Sequence, residues 1–400
     1  MAINFVTETN KCCGCAVCDS VCPIHAISMS YNNEGFLYPT IDQTKCIECH
    51  LCLQSCPINV CPPLSEDHVF FKQKVFACIN KDENILHVSS SGGVFYALAS
   101  DVIKSEGVVF GASFSKESSV EHIAVEKVSD LTKLMGSKYV QSDTRMLWPK
   151  VKRYLSSGRK VLFSGTPCEI GALRSYLKRD YDNLILVDVL CMGTPSPMVW
   201  KSWKEELEDR YNSKAKNINF RSKKYGGAFS HSLMITFENG KEYWNPMYAD
   251  PYVKGFYNRL FLRSSCHHCS YKKLHRESDI TLGDFWGAKD VGIDLQVDNG
   301  LSIVIVQSPK GESAFNQIKK NFSYKETTID TAAKIQPMMT MSCLPNIHRE
   351  DFFRDFCGSP HESLSFIVGH YLPITMKDII RAKLKRVRFV RGIVRLLKNN

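Results

Sequence analysis

The sequence predicts a chain of mixed α+β and α/β class. A small cysteine-rich unit leads into an α/β domain with a mostly parallel sheet, an α+β C-terminal half and a basic helical tail. Three observations predict this. One cysteine pattern occurs twice in the first sixty residues. Between residues 89 and 190 helical patterns alternate with short apolar runs, the mark of α/β units. Beyond residue 213 the texture changes to alternating strands around Asn239-Gly240, a strong hairpin-turn signal. The expected boundaries are 1–60 for the cysteine unit, 61–72 for a linker with paired prolines, 73–195 and 196–345 for the two parts of the larger domain, and 346–400 for a C-terminal extension.

The cysteine unit reads Cys12-x2-Cys15-x2-Cys18-x3-Cys22-Pro23 and then Cys46-x2-Cys49-x2-Cys52-x3-Cys56-Pro57. This is the bacterial ferredoxin run, in which the fourth cysteine of each copy ligates the other copy's cluster. One 4Fe–4S cluster is therefore expected on Cys12, Cys15, Cys18 and Cys56, and a second on Cys46, Cys49, Cys52 and Cys22. Zinc takes two ligand pairs separated by a longer gap, which this pattern does not match. The unit is expected to be a ferredoxin-like dicluster domain that moves single electrons.

Composition limits the rest. With 44% hydrophobic residues in 400, the chain has the make-up of a globular protein with a real core. No stretch approaches the ~18 consecutive apolar residues of a membrane span. The N-terminus has neither a basic nor an apolar signal region, so a reducing cytoplasm is expected for the seventeen cysteines. The net charge is +10, but residues 376–400 carry nine basic residues and one acid. The charge belongs to the tail, and a nucleic-acid partner is not expected.

Individual elements follow from the pattern. Ser89-Ser90-Ser91-Gly92-Gly93 precedes a helix reaching about Lys104. A buried strand is expected at Gly107–Ala112, a helix at Thr144–Ser156, a strand at Lys160–Phe163, a helix at Cys168–Lys178 and a strand at Leu184–Leu190. Further strands are expected at 218–220, 233–237, 280–282 and 302–306, with a helix from Pro309.

Nine cysteines remain, and four sit where ligands would sit. Cys168 follows Gly165-Thr166-Pro167 at a strand-to-helix turn, where a helix N-terminus favours a thiolate. Cys191 follows the next strand, at the same sheet edge. Cys266-His267-His268-Cys269 adds a close pair. Cys168, Cys191, Cys266 and Cys269 are expected to hold a third 4Fe–4S cluster; a four-cysteine zinc site and unconnected core cysteines stay open. Cys13, Cys61, Cys78, Cys343 and Cys357 read as small packed residues.

Six strings now stand in order: Ser90-Ser91-Gly92-Gly93-Val94, Gly136-Ser137-Lys138-Tyr139-Val140, Gly165-Thr166-Pro167-Cys168, Asp188-x2-Cys191-x-Gly193, Arg263-x2-Cys266-x2-Cys269 and Asp279-Ile280-Thr281-Leu282-Gly283-Asp284-Phe285-Trp286-Gly287. Over residues 70–345 the chain resembles the coenzyme F420 hydrogenase/dehydrogenase beta-subunit family, with the ferredoxin unit completing a common fused architecture. The resemblance implies a flavin, FAD in most members, beside a 4Fe–4S cluster. It also implies exchange of hydride with a deazaflavin coenzyme or another two-electron partner. Because the family includes reductases of chlorophyll-type pigments, it implies cofactors better than substrate.

Residue chemistry agrees with a flavin nucleotide. Ser90, Ser91, Gly92 and Gly93 precede a helix, where backbone N–H groups attract a pyrophosphate, though an ordinary helix start reads the same way. Gly136, Ser137, Lys138 and Tyr139 offer a cation, a hydroxyl and a stacking ring, and Thr166 sits on a second loop. Arg221 and Lys223 are candidates for an anionic substrate or a flavin phosphate, and Asp284 and Trp286 for the cofactor's border. No catalytic acid or base stands out. There is no P-loop, no Ser-His-Asp arrangement and no Gly-x-Gly-x-x-Gly run, so hydrolase, NTPase and ordinary NAD-fold readings lack support. In the tail, Ile380, Leu384, Val387, Val390, Val394 and Leu397 form an apolar stripe among basic residues. Such a helix can lie on an anionic membrane at the inner face, dock on the body or stay solvated.

The expected function is a cytoplasmic iron–sulfur flavoprotein oxidoreductase. It joins a small-molecule redox substrate, coenzyme F420 or a relative, to a ferredoxin or another redox protein. A non-catalytic electron-transfer subunit and a zinc-stabilised binding module with a ferredoxin appendage are the alternatives.

Overall fold

A computed structural model describes residues 10–60, 64–224, 231–295, 300–359 and 361–384. The cysteine unit is built on a hairpin of β1 (Ile27–Tyr31) and β2 (Leu37–Ile41), paired antiparallel with Met29 opposite Pro39. Two short helices, Val17–Val21 and Leu51–Gln54, carry Cys18 and Cys52. The duplication extends to backbone shape. Gly14 and Ala16 in the first half match Glu48 and His50 in the second, all four at positive φ. These left-handed residues turn each chain segment so that its first three cysteines face one side. For a non-glycine residue that conformation costs about 1–2 kcal/mol, so something at the cysteine face must offset it.

The body is organised by one eight-stranded sheet. Its strands are β3 (Lys74–Asn80), β4 (Val108–Phe114), β5 (Val120–Val125), β6 (Val161–Gly165), β7 (Leu184–Val189), then β11 (Ile280–Asp284), β12 (Ser302–Val306) and β13 (Phe322–Thr327), the numbers 8 to 10 belonging to a second sheet. The spatial order is β13-β3-β12-β11-β7-β6-β4-β5. The expectation of a mostly parallel sheet is corrected here. Only the central run β4, β6, β7 and β11 is parallel, while β5, β12, β3 and β13 pair antiparallel, so the sheet is mixed. A continuous apolar run such as Ser302–Val306, buried at every position, marks a two-sided buried strand without giving its direction. Direction is set by the connections, and the short loop from β4 to β5 allows only an antiparallel return.

The second sheet, β8 (Ala215–Ser222), β9 (Ser232–Phe237) and β10 (Glu242–Pro246), is antiparallel in the order β10-β9-β8. The Asn239-Gly240 turn joins its last two strands, as the sequence indicates. Helix Pro197–Tyr211 buries Trp200, Trp203 and Leu207 against it, and helices Arg349–Gly358 and Leu364–Tyr371 close the same core. Within the expected linker, Glu66–Val69 forms a helical turn; residues 61–63 lie outside the described residues.

The cysteine unit is packed into the body. Val17 sits in one core with Trp148, Phe163 and Ile170. The Trp148 indole and the Thr144 hydroxyl both donate to the Cys15 carbonyl, at 2.8 and 3.0 Å. Arg349 binds both oxygens of Glu34, at 2.8 and 2.6 Å, and donates to the Leu262 carbonyl at 2.8 Å. Residues 376–384 are helical, with Ile380 and Leu384 about half exposed; Val387, Val390, Val394 and Leu397 of the apolar stripe lie outside the described residues.

Candidate redox site

The two cysteine runs surround two apolar hollows. Cys12, Cys15, Cys18 and Cys56 line the first, with Met29, Pro39 and Ile58. Cys22, Cys46, Cys49 and Cys52 line the second, with Ile24, Ile27 and Ile41. The fourth cysteine of each run thus crosses to the other hollow. Chain geometry explains the crossing, because each x3 step and its proline lead out of a short helix toward the opposite half. The Ala26 amide donates to the Cys22 sulfur at 3.2 Å. Burial, then the nearby sulfurs of Cys12 and Cys56, pushes the Cys18 thiol far up; burial likewise raises Cys56 and Cys52. Thiols so crowded resist ionisation unless a cation takes the proton's place, which is the chemistry of a metal-binding set.

A third set lies at the C-terminal edge of the parallel strands. Cys168 stands in the first turn of helix Pro167–Leu177, and Cys191 follows β7. Cys266 belongs to the 3₁₀ turn Ser264–His268, and Cys269 ends it. The four thiols converge. Burial raises Cys191 most, and the sulfurs of Cys266, Cys168 and Cys269 raise it further. Cys269 is pushed up to about 11, first by burial and then by Cys168. The Thr194 amide donates to the Cys266 sulfur at 3.3 Å, and the Thr166 hydroxyl meets the Cys168 sulfur at 3.2 Å. Thr166 also begins the helix through a capping box with Glu169, so its hydroxyl serves the cysteine edge. The pair carrying Cys266 and Cys269 is held against β7 by the fully buried ion pair of Arg276 with Asp188, 3.0 Å. Among the described residues, no three His, Cys, Asp or Glu side chains stand close enough to share a single metal ion, so the thiols are spaced around hollows rather than closed on one point.

Cys13 is the residue that sequence reading passed over. Its thiol interacts with Cys15 on one side and with Cys168 on the other, so it links the first hollow to the third set. The doubled Cys12-Cys13 was the one available signal. Cys343 also lies beside the third set, its thiol donating to the Met192 carbonyl at 3.1 Å. Cys78 is buried in the core beside helix Val94–Lys104.

Of the residues singled out for a flavin, Ser90 and Ser137 are in contact and Lys223 reaches the loop that carries Ser91, while Thr166 stands apart at the cysteine edge. Ser90 accepts from the Ser137 amide at 2.9 Å, tying the two loops together. Lys223 donates to the Leu86 carbonyl at 2.7 Å and reaches that of Ser91 at 3.5 Å; burial and then Arg221 lower its ammonium to about 8. Arg221 pairs with Asp284, and its guanidinium lies 5.9 Å from the Trp286 ring centre. Gly136 has open space where a side chain would stand, while Gly93 is the left-handed residue that opens helix Val94–Lys104. Three details differ from expectation. The Gly92 amide is already bound to the Ser302 hydroxyl at 2.9 Å, because β12 runs alongside. Lys138 turns back onto the carbonyls of Lys133 and Met135, at 3.1 and 2.8 Å, and burial lowers it to about 7. The Tyr139 ring stacks on Phe256 at 4.5 Å and its hydroxyl meets that of Tyr257 at 3.2 Å. The hydroxyls of Ser90 and Ser137 and the ammonium of Lys223 together make a donor set that could hold a phosphate.

Comparison with known proteins agrees with both halves. Residues 11–60 match the 4Fe-4S dicluster domain, and residues 158–332 match the C terminus of the coenzyme F420 hydrogenase/dehydrogenase beta subunit. The chain is thus an iron–sulfur electron-transfer protein related, over residues 158–332, to the coenzyme F420 hydrogenase/dehydrogenase beta subunit. Among solved structures, it is similar to a chain of the F420-reducing [NiFe] hydrogenase complex from Methanosarcina barkeri. That likeness has 16% identity and a TM-score of 0.44, and covers 75% of this chain and 98% of the other. No relative is found among curated proteins. No described helix is long and apolar enough to cross a membrane.

Proposed function

We propose that this chain is an iron–sulfur flavoprotein oxidoreductase that exchanges two electrons with a small molecule and passes them singly to or from a redox protein. The observation that carries this reading is the serial arrangement of thiols. The second hollow adjoins the first within the cysteine unit, and Cys13 joins the first to the set at the sheet edge.

In this reading Cys12, Cys15, Cys18 and Cys56 hold one 4Fe–4S cluster, and Cys22, Cys46, Cys49 and Cys52 hold another. Cys168, Cys191, Cys266 and Cys269 hold a third. Clusters of this kind supply one-electron transfer at potentials set by burial, charge and hydrogen bonds to sulfur. The Ala26 and Thr194 amides and the Thr166 hydroxyl, each on a cysteine sulfur, stabilise the thiolate form. A flavin, FAD by family likeness, supplies two-electron chemistry when bound. Ser90, Ser91, Gly93, Gly136, Ser137 and Lys223 bind its phosphates, and Arg221, fixed by Asp284, faces the substrate side with Trp286. The apolar lining of the first hollow keeps water from the buried thiols of Cys12, Cys18 and Cys56.

The second hollow is the outer terminal, since Cys49 and Ile47 beside it are exposed, and a ferredoxin-type partner docks there. Coenzyme F420 or a related carrier is the two-electron substrate, and the setting is cytoplasmic, with the basic tail touching the inner membrane face. Anaerobic turnover by the full chain, with deazaflavin, NAD(P)H and ferredoxin as partners, tests the reading. Flavin-dependent reduction or oxidation of one two-electron partner is expected. A chain that binds clusters yet turns over none of them is a relay subunit, which contradicts it.

A further inference from the structure

Arg263 is fully buried, yet among the described residues its positive charge faces no acid. Its guanidinium donates to the Cys12 carbonyl at 2.7 Å, to the Leu37 carbonyl at 2.9 Å and to the Gln141 side chain at 3.1 Å. Gln141 in turn donates to the Cys13 carbonyl at 3.0 Å. The cation lies 4.2 Å from the Tyr38 ring centre and 5.3 Å from that of Phe36. Among the described residues no carboxylate pairs with it; Glu34, which neighbours Tyr38, is bound by Arg349 through both oxygens.

The contact with the first cysteine run is close. A side chain on Gly14, between Cys13 and Cys15, would meet the Arg263 Nη1 at 2.8 Å, and Gly14 has φ +74°. Arg263 also starts the turn that carries Cys266, whose amide donates to the Arg263 carbonyl at 2.9 Å. One residue thus binds the backbone of the first cysteine run with its side chain and sets the third cysteine set with its backbone.

An isolated buried charge is strongly unfavourable unless a charge of opposite sign lies nearby. The first hollow supplies one if its four cysteines are thiolates on a cluster, a group whose charge becomes more negative on reduction. We infer that Arg263 is the built-in counter-charge of the first hollow: it raises the reduction potential of the cluster held there and locks the cysteine unit to the body. The inference rests on the iron–sulfur reading above and adds a tuning residue to it.

The test is an anaerobic potentiometric titration of the full, cluster-loaded chain followed by EPR, with Arg263→Gln and Arg263→Lys as variants. In R263Q one N-terminal midpoint is expected to fall by at least a tenfold change in the reduction equilibrium, 59 mV for one electron, while the others stay. In R263K the midpoint is expected to stay within that bound, because the charge remains. A chain that loses about four irons in R263Q but keeps them in R263K also supports the inference, by the size of one cluster. Unmoved midpoints in loaded R263Q overturn it, as does a fall in R263K equal to that in R263Q, which would make the effect one of packing. Wild-type protein without N-terminal cluster signals would overturn the iron–sulfur reading itself, whereas signals with unmoved midpoints sink this inference alone.

Discussion

The thiol of Cys13 lies against that of Cys168, although 155 positions separate them in sequence. This contact joins a cysteine run at the start of the chain to a helix N-terminus at the edge of the main sheet. It requires that the cysteine unit be packed into the body, as Trp148, Thr144 and Arg263 make it.

Cys13 is expected to link the two sites without ligating iron. Cys13→Ala should keep about twelve irons per chain, by the count of three four-iron clusters. Magnetic coupling between the first and third clusters in EPR should weaken. A loss of about four irons would make Cys13 a ligand instead.

Trp148 anchors the cysteine unit through one buried hydrogen bond to Cys15. Trp148→Phe leaves that carbonyl with the Thr144 hydroxyl alone and removes ring volume, a cost of about 1–3 kcal/mol. A lower thermal midpoint with earlier release of iron on warming is expected. An unchanged midpoint would show that other contacts carry the docking.

Gly92 is packed so closely that an added Cβ would lie 2.2 Å from the Cys78 carbonyl and 2.8 Å from the Ser302 amide. Both obstacles are backbone in the main sheet, so neither can yield cheaply. Gly92→Ala is expected to cost about 3 kcal/mol, at the upper end of overpacking effects. It should also reduce flavin content, because the Ser90–Ser137 contact is displaced. Wild-type stability and flavin content in the variant would contradict the close packing.

Lys138 gives a pH signature. Burial holds its ammonium down to about 7, against 10.5 for a free lysine. The folded chain therefore gives up this proton at lower pH than the unfolded chain. Between about pH 7 and 10 the unfolded state binds more protons, so the contribution of this group to stability rises with pH. Lys138→Met removes the titration, and its gain in thermal midpoint over the parent should be larger at pH 7 than at pH 9.5. Equal gains at both values would contradict the assignment.

Deletion of residues 376–400 should reduce binding to vesicles containing anionic lipid, measured by cosedimentation. The exposed Ile380 and Leu384 and the basic residues beside them are the basis for this expectation. Equal binding by both chains would remove membrane contact from the account.

Much of this molecule was legible because its chemistry repeats in sequence. The two cysteine runs state their own pairing, and Cys22 and Cys56 do line opposite hollows. Thr166-Pro167 marks a helix start, which places Cys168 correctly. Strand direction was not legible. The apolar runs of β12 and β7 look alike, yet one is antiparallel and the other parallel to β11. Edge strands β5 and β13 alternate too weakly to stand out, since β13 is exposed over most of its length. The bridging position of Cys13, the buried charge of Arg263 and the inward turn of Lys138 depend on contacts between residues more than a hundred positions apart or on burial. No local pattern reports either.

Three thiol sets, two in the cysteine unit and one at the sheet edge, are each expected to carry a four-iron cluster. Iron, sulfide and zinc analysis of anaerobically purified wild-type chain and of Cys191→Ser measures this directly. The expected result is about twelve irons per wild-type chain, no zinc, and about eight irons in the variant, one cluster fewer. About eight irons and one zinc in the wild type, with the zinc lost in the variant, would contradict it.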